Sequence, residues 1–273
     1  MSMLPLNREY ISIATYYRLF LLDVLPQNID KCIYLDCDMI VEDDIEKLWK
    51  YDITNYYAGV VEDESSIPNN SRLNLPLNNT YFNAGLLLLN LKKLRSINFK
   101  EKAFEYFYKN KDIIEFQDQD ILNGLFANHC LLLPLRWNVN SSVYVKFKTH
   151  HKYTKKEELE AAQEPAILHF TGLYKPWLTS SMHPLNSEYK KYLTYTKFNE
   201  DIKQYKIKDF LSNFFCIKRD WKDTKIYILR IRVFKNISIK KIFSICNTEQ
   251  KKHKVITILG IRIKLKRWEK ENA

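Results

Sequence analysis

The 273-residue sequence contains only five glycines, and none of them belongs to a glycine-rich phosphate-binding loop. Both the GxGxxG pattern of dinucleotide-binding folds and the Walker A pattern of P-loop enzymes are absent. The five cysteines are irregularly spaced and include no CxxC pair, which argues against a disulfide framework and a zinc ribbon. No run of about 18 apolar residues occurs, so the sequence predicts no membrane-spanning helix.

Positive charge is in excess, but only at one end of the sequence. Residues 201–273 hold 20 Lys and Arg against 7 Asp and Glu, whereas residues 1–200 hold 23 against 25. A nucleic-acid-binding protein would carry basic residues on its folded body, so this distribution argues against one. It favours a basic tail suited to an anionic surface. We therefore predict two regions, 1–190 and 191–273, of which the second is a basic and aromatic C-terminal extension.

Short apolar runs alternate with amphipathic helical patterns through the first region. The runs Lys31–Asp36, Tyr56–Val61 and Ala166–Phe170 have the length and composition of buried strands. Residues 65–80, which are rich in Ser, Asn and Pro, are predicted to form a loop. The alternation of strands and helices predicts an α/β domain with a mostly parallel sheet. Helices are predicted over Ser12–Leu25, from Asp43 or Asp44 to Trp49, around Ala103–Tyr108 and over Asp120–Asn128.

The second region has a different pattern, in which Lys and Arg alternate with apolar residues. The segments Lys225–Lys235 and Lys254–Lys264 resemble each other, and both are predicted to be strands.

Asp36 and Asp38 are the first residues that could carry chemistry. They follow an apolar run, and side chains at i and i+2 of an extended segment face the same way. Two convergent carboxylates at this edge of an α/β sheet would bind Mn²⁺ or Mg²⁺, with a diphosphate completing the coordination shell. The tripeptide is also compatible with solvated loop acids, and Asp118-Gln-Asp120 is a second example of it.

Other polar residues stand at strand ends or helix starts. Asp63 follows the second predicted strand, and Asn83 interrupts an apolar stretch just before Ala84 and Gly85. Gln119 lies between two acids at a predicted helix start, where acids also serve as simple caps.

His169 follows the last apolar run of the first region. A single histidine there is often a satisfied core residue, but beside two aspartates it makes a third metal ligand. Gly172 and Lys175 come next, and they could approach a phosphate through the backbone and the ammonium group.

Taken together and in order, these motifs resemble glycosyltransferase family 8, a group of retaining enzymes that includes bacterial lipopolysaccharide galactosyl- and glucosyltransferases. The resemblance covers roughly residues 10–185 and implies a glycosyltransferase A-type fold. The residues that carry it are Tyr16-Tyr17-Arg18, Tyr34-Leu-Asp-Cys-Asp38, Asp63, Tyr81-Phe-Asn-Ala-Gly85, Asp118-Gln-Asp120 and His169-Phe-Thr-Gly-Leu-Tyr-Lys-Pro-Trp177.

The resemblance implies a role for each of these positions. Asp36, Asp38 and His169 would ligate Mn²⁺ or Mg²⁺, which would bridge the two phosphates of a UDP-sugar. Gly172 and Lys175 would hold the diphosphate. The remaining residues would contact the donor sugar, with Gln119 nearest the anomeric carbon: Arg18, Asp63, Asn83, Ala84, Asp118 and Gln119.

Retention of configuration at the sugar is compatible with two routes. The amide of Gln119 is a poor nucleophile, which favours same-face substitution through an oxocarbenium-like ion pair. Asp118 is the nearby carboxylate that could instead trap the cation covalently. The residues alone leave both routes open.

The resemblance raises two further expectations. In the family, about 70 additional residues precede this region and build the nucleotide-binding half of the sheet, so we expect an N-terminally incomplete domain. The alternative to an active hexosyltransferase is then an inactive remnant that serves only as a membrane-associated or saccharide-binding domain.

Similar enzymes use basic C-terminal segments to bind the cytoplasmic membrane face, where lipid-linked acceptors lie. We expect residues 191–273 to do the same at the inner face of the bacterial cytoplasmic membrane, the alternative being a solvated, partly disordered extension. The expected partners are a UDP-hexose, a lipid-linked oligosaccharide acceptor and an anionic membrane, with no nucleic acid.

Overall fold

The computed structural model describes residues 13–144, 150–172, 175–178 and 183–198, and the backbone of six strands between 215 and 266. The chain divides into two compact units. The first comprises residues 1–177 and 182–189, and the second comprises residues 178–181 and 190–273. Within the described residues, no helix has the length and apolar character needed to cross a bilayer.

A four-stranded sheet forms the centre of the first unit, in the order β1 (Lys31–Leu35), β4 (Leu86–Asn90), β3 (Ala58–Val60) and β5 (Cys130–Leu132). Strand β4 is antiparallel to both of its neighbours, whereas β3 and β5 are parallel. The α/β prediction is confirmed, since three of the four strands run in one direction. The Lys31–Asp36 run forms β1, whose neighbour in the sheet is the antiparallel strand β4 and not a parallel strand.

A separate two-stranded sheet joins the segment that follows β1 to the segment that contains His169. Strand β2 (Met39–Val41) pairs antiparallel with β6 (Ile167–His169), and Met39 stands opposite His169. Phe170 N–H also donates to the Asp38 carbonyl at 2.9 Å. These bonds join two segments that lie far apart in the sequence.

Helices cover the sheets at positions that the sequence pattern predicts only in part. A 3₁₀ helix over Ile13–Phe20 continues as α1 (Leu21–Val24), where a single α-helix was expected. Residues 65–80 do not form the predicted loop throughout, because α3 occupies Ser66–Arg72. Its proline is in the first turn, where no backbone donor is needed. The other helices are α2 (Ile45–Trp49), α4 (Leu91–Ser96), α5 (Phe99–Asn110), α6 (Gln117–Phe126), α7 (Lys155–Gln163) and α8 (Asn186–Leu193).

Strand β4 separates the two hydrophobic clusters of the core. Leu87 and Leu89 pack in one cluster with Phe126, and Leu86 packs in the other with Trp137. Four consecutive leucines of β4 are buried, which is why this strand reads as a continuous apolar run and shows no alternation.

Two three-stranded antiparallel meanders contain the strands that the structure describes in the second unit. Strands β7 (Phe215–Arg219), β8 (Thr224–Ile228) and β9 (Ile231–Lys235) form the first. Each of the two segments predicted as a strand, Lys225–Lys235 and Lys254–Lys264, contains parts of two strands that pair antiparallel with each other. Strands β10 (Phe243–Asn247), β11 (His253–Ile258) and β12 (Ile261–Lys266) form the second.

Candidate active site

An open cavity of about 580 Å³ lies where the end of β1, the start of β4 and the end of β6 meet. Asp63 is the one predicted site residue that does not line it. The ten that do are Arg18, Asp36, Asp38, Asn83, Ala84, Asp118, Gln119, His169, Gly172 and Lys175.

Two carboxylates and one imidazole converge at the floor of this cavity. His169 Nε2 lies 3.3 Å from Asp38 Oδ1 and 3.9 Å from Asp36 Oδ2. Asp36 follows β1 and Asp38 lies in the turn between β1 and β2, so the two aspartates do not lie on the extended segment that the spacing predicts. Asp36 is held there by its N–H, which donates to the Gly85 carbonyl at 2.8 Å.

This donor set fits a divalent cation. One ligand atom from each of Asp36, Asp38 and His169 lies within 4.8 Å of the others, and the part of the chain that the structure describes holds no second such group. Cations with bonds near 2.1 Å hold neighbouring ligand atoms about 3 Å apart, so small side-chain movements bring the three together. Carboxylate oxygens with one imidazole suit Mn²⁺, and the oxygens also suit Mg²⁺.

Gly85 makes room for this cluster. A Cβ atom on Gly85 would lie 2.3 Å from His169 Cε1, and 3.0 Å from both Asp36 Oδ2 and Asn83 Oδ1. No side chain fits at this position while His169 keeps its place. The backbone next to the cluster therefore has to be glycine.

Arg18 connects the cluster to the opposite wall of the cavity. Its guanidinium lies 2.9 Å from Asp36 Oδ1 and 2.8 Å from Asp118 Oδ2, and it donates to the Ala84 carbonyl. The group also lies over the Tyr34 ring, 4.4 Å from its centroid. Burial would lower the pKa of Arg18, but the charges of Asp118 and Asp36 raise it, so the side chain is a fixed cation.

Asp118 is buried at the start of α6, with both oxygens engaged. Oδ1 accepts a hydrogen bond from the Thr15 hydroxyl, and Oδ2 faces Arg18. Burial raises the pKa of Asp118 above its ordinary value, and Arg18 and Thr15 offset this only in part. The contacts with Thr15 and Arg18 therefore fix the position of the Asp118 carboxylate.

Gln119 is oriented by three partners. Its Oε1 accepts from Ala84 N–H at 3.0 Å, and its Nε2 donates to Tyr81 Oη at 3.2 Å and to Asp63 Oδ2 at 3.4 Å. The same Asp63 oxygen accepts from Asn83 Nδ2 at 3.4 Å. Asp63 itself is only 7% exposed, and it accepts hydrogen bonds from two residues that line the cavity, Gln119 and Asn83.

The remaining predicted residues lie at the other end of the cavity. Lys175 Nζ donates to Asp38 Oδ2, and to the Phe170 carbonyl at 2.6 Å. Burial would raise the pKa of Asp38, but His169 and Lys175 lower it well below its ordinary value. Gly172 has a φ of +82° and no atom within 4 Å of its missing Cβ, so its backbone is accessible.

Thr15 and Asn138 belong to the site, although sequence reasoning does not single them out. Thr15 bonds Asp118, and Asn138 bonds both Asn83 and His169. Neither residue belongs to a motif whose spacing points to chemistry. Gly85 carries a detectable signal, since it closes the Tyr81–Gly85 motif, but its steric role is visible only in three dimensions.

Comparison with known proteins finds relatives of this chain. A family model described as glycosyl transferase family 8 matches residues 1–181. General stress protein A of Bacillus subtilis (strain 168) is 34% identical over 195 residues, which cover 70% of this chain and 68% of that protein. Lipopolysaccharide 1,2-glucosyltransferase of Escherichia coli (strain K12) is 31% identical over 193 residues, which cover 69% of this chain and 56% of that protein.

Among solved structures, the galactosyltransferase LgtC in complex with donor and acceptor sugar analogs has 30% identity and a TM-score of 0.64, with 72% of each chain covered. The likeness to LgtC supports the A-type fold inferred from the motifs. Because the family model spans about two thirds of the sequence and every residue that lines the cavity, this chain belongs to glycosyltransferase family 8.

Proposed function

We propose that the chain is a retaining hexosyltransferase, which moves galactose or glucose from a UDP-sugar to a lipopolysaccharide or lipooligosaccharide acceptor with Mn²⁺ as cofactor. The observation that carries this proposal is the convergence of Asp36, Asp38 and His169 in one open cavity. The relatives support it, since they include a lipopolysaccharide glucosyltransferase and a galactosyltransferase solved with donor and acceptor analogs.

The metal end of the cavity would bind the diphosphate. Asp36, Asp38 and His169 would hold Mn²⁺ or Mg²⁺, and the bound cation would stabilise the negative charge of the leaving UDP. Lys175 brings a second positive charge to the same place, and the accessible backbone of Gly172 allows a phosphate to approach closely.

The opposite wall would bind the donor sugar. Arg18, Asn83 and Ala84 line the cavity beside Gln119, whose amide is held by Ala84 and Asp63. Hydroxyl groups of a hexose need both donors and acceptors, and amide and carboxylate groups supply them. The ordered amide of Gln119 is suited to a position beside the reacting carbon.

The engagement of Asp118 supports substitution on one face of the sugar. A carboxylate that is to trap an oxocarbenium ion needs a free oxygen aimed at the anomeric carbon. Both Asp118 oxygens are engaged instead: Oδ1 accepts a hydrogen bond from Thr15, and Oδ2 forms an ion pair with Arg18. The acceptor hydroxyl would then attack from the side that UDP leaves, and a UDP phosphate oxygen would take its proton.

Calorimetric titration with UDP-galactose and UDP-glucose, with and without Mn²⁺, tests this proposal. We expect binding of one of them in the presence of metal, and loss of that binding in Asp38→Asn. The matched control is Asp52→Asn, an exposed aspartate outside the cavity, which should bind like the unmodified chain. A folded chain that binds neither nucleotide would favour the alternative, a catalytically inactive remnant.

The basic tail is proposed to act at the inner face of the cytoplasmic membrane. Each Lys or Arg near an anionic bilayer contributes about 1 kcal/mol, so the excess in residues 201–273 is ample for binding. This location would bring the cavity to a lipid-linked oligosaccharide acceptor.

A further inference from the structure

A buried hydrogen-bond chain runs behind the metal cluster. Asn138, at the end of the 3₁₀ helix Leu135–Asn138, is 2% exposed and does not line the cavity. Its Oδ1 lies 2.9 Å from His169 Nδ1, and its Nδ2 lies 3.0 Å from Asn83 Oδ1. Asn138 thus touches one candidate metal ligand and one candidate donor-binding residue.

The direction of this chain is set by a backbone group. Gly85 N–H donates to Asn83 Oδ1 at 3.0 Å, and a peptide N–H can only donate. The atom of Asn83 that faces Gly85 is therefore its oxygen. Asn138 must turn its NH₂ group to that oxygen, which leaves its own oxygen facing His169. Because that oxygen only accepts, Nδ1 of His169 must carry the proton.

We propose that Asn138 is a positioning residue, which holds His169 as the Nδ1–H tautomer so that the lone pair of Nε2 is available to a cation at Asp36 and Asp38. The distances agree, since Nε2 is the ring atom that lies 3.3 Å and 3.9 Å from the two carboxylates. Neutral metal-binding histidines commonly donate their other ring N–H to such a partner. The inference rests on the metal site of the proposed function.

The same residue orients the sugar side of the site. While Asn83 Oδ1 accepts from Gly85 and Asn138, its Nδ2 can only point elsewhere, and it donates to Asp63. Asn138 therefore couples the orientation of His169 to that of Asn83. Loss of its donor alone should disturb the donor-sugar side and spare the metal side.

Two substitutions separate these roles. Asn138→Leu has a similar size but neither donor nor acceptor. We expect it to weaken Mn²⁺ binding by about 10- to 100-fold, measured by electron paramagnetic resonance titration. Asn138→Asp keeps an acceptor for His169 but loses the donor to Asn83. It should keep Mn²⁺ affinity within about threefold and weaken UDP-sugar binding instead.

A second readout needs no metal. The ¹⁵N chemical shifts of the His169 ring, assigned by comparison with His169→Gln, report whether Nδ1 carries a proton. Nδ1 should be protonated in the unmodified chain and in Asn138→Asp, and Asn138→Leu should lose that preference. Asn70→Leu is the matched control, because Asn70 is fully buried and bonds Asn79 outside the cavity. It should destabilise the fold without changing the His169 spectrum or Mn²⁺ affinity.

An unprotonated Nδ1 in the unmodified chain would overturn the inference, as would an Asn138→Leu variant with unchanged spectrum and Mn²⁺ affinity. A failure of the proposed function gives a different result. An unmodified chain that binds no Mn²⁺ would refute the metal site, whereas the protonation of Nδ1, observed without metal, still decides the role of Asn138.

Discussion

Arg18 Nε lies 2.8 Å from Asp118 Oδ2, and neither side chain is more than 7% exposed. The pair joins the 3₁₀ helix near the start of the first unit to the first turn of α6. Because Arg18 also faces Asp36, one cation pairs with two carboxylates that border the cavity. The charge balance of the site therefore depends on a residue that is itself almost inaccessible.

Arg18→Met should destabilise the fold by about 3–5 kcal/mol, because it leaves two carboxylates without their buried partner. Urea unfolding of the metal-free chain measures this loss. Lys100→Met is the matched control, since it breaks an ion pair with Asp23 at the surface and should cost less than about 1 kcal/mol. Equal losses of stability in the two variants would show that the burial of the Arg18 ion pairs does not increase their contribution.

Gly85→Ala should weaken Mn²⁺ binding by at least about tenfold, because the new methyl group takes the place of the His169 ring. Calorimetric titration with Mn²⁺ gives the affinity. Gly124→Ala serves as the control: its Cβ would lie 2.0 Å from Cζ of Tyr106, away from the cavity, so stability should fall while Mn²⁺ affinity stays the same. Unchanged Mn²⁺ binding in Gly85→Ala would show that the cluster does not form the metal site.

Intact mass spectrometry tests the one-face mechanism. When the chain is mixed with Mn²⁺ and the donor that it binds, and quenched at short times, we expect only the unmodified mass, because both Asp118 oxygens are engaged. The Gln119→Ala variant should behave in the same way. A hexosyl adduct that disappears in Asp118→Asn would establish the covalent route instead.

His183 predicts a loss of stability in acid. Burial, with the charge of Lys175, lowers its pKa from 6.5 to about 4, and its Nδ1 accepts from Leu185 N–H at 3.2 Å. The unfolded chain thus binds a proton at this site between pH 6.5 and about 4, and the folded chain does not. Stability should fall by up to about 3 kcal/mol as pH drops through this window.

The pH dependence of urea unfolding checks this expectation. His183→Gln should flatten the profile between pH 6.5 and about 4. A slope that survives in His183→Gln would assign the acid sensitivity to other groups.

The proposed membrane binding by the tail should depend on the basic residues of β12. Arg262, Lys264 and Lys266 alternate with apolar residues along this strand. Replacing all three with Gln should weaken binding to vesicles containing phosphatidylserine by about 3 kcal/mol, on the order of 100-fold. Replacing Lys102, Lys109 and Lys111, which are exposed in the first unit, removes the same charge and should have little effect. Equal effects would indicate that net charge alone drives binding.

The candidate site is more predictable from the sequence than the sheet that carries it. Asp36, Asp38 and His169 each stand at an end of an apolar run, and strand ends meet at cavities in this fold class. The direction of β1 relative to β4 has no such local signal, because both antiparallel and buried parallel strands read as short apolar runs. The sequence does not predict the helix over Ser66–Arg72, because its residues are of types that usually form turns.

The sequence does not identify Thr15 and Asn138 as site residues, for a related reason. Their importance comes from partners 103 and 31 positions away, and neither has a neighbour in the sequence that hints at it. A residue that acts through another is identified only when the fold brings the two together.

The bonds that build the cavity join distant parts of the chain: Thr15 to Asp118 across 103 positions, and Lys175 to Asp38 across 137. Contacts of such long range form late in folding, because large loops must close first. A partly folded chain therefore offers no assembled site to a nucleotide. Any ligand of this cavity therefore binds only the finished fold, and it raises the free energy of unfolding by an amount that its concentration and affinity set.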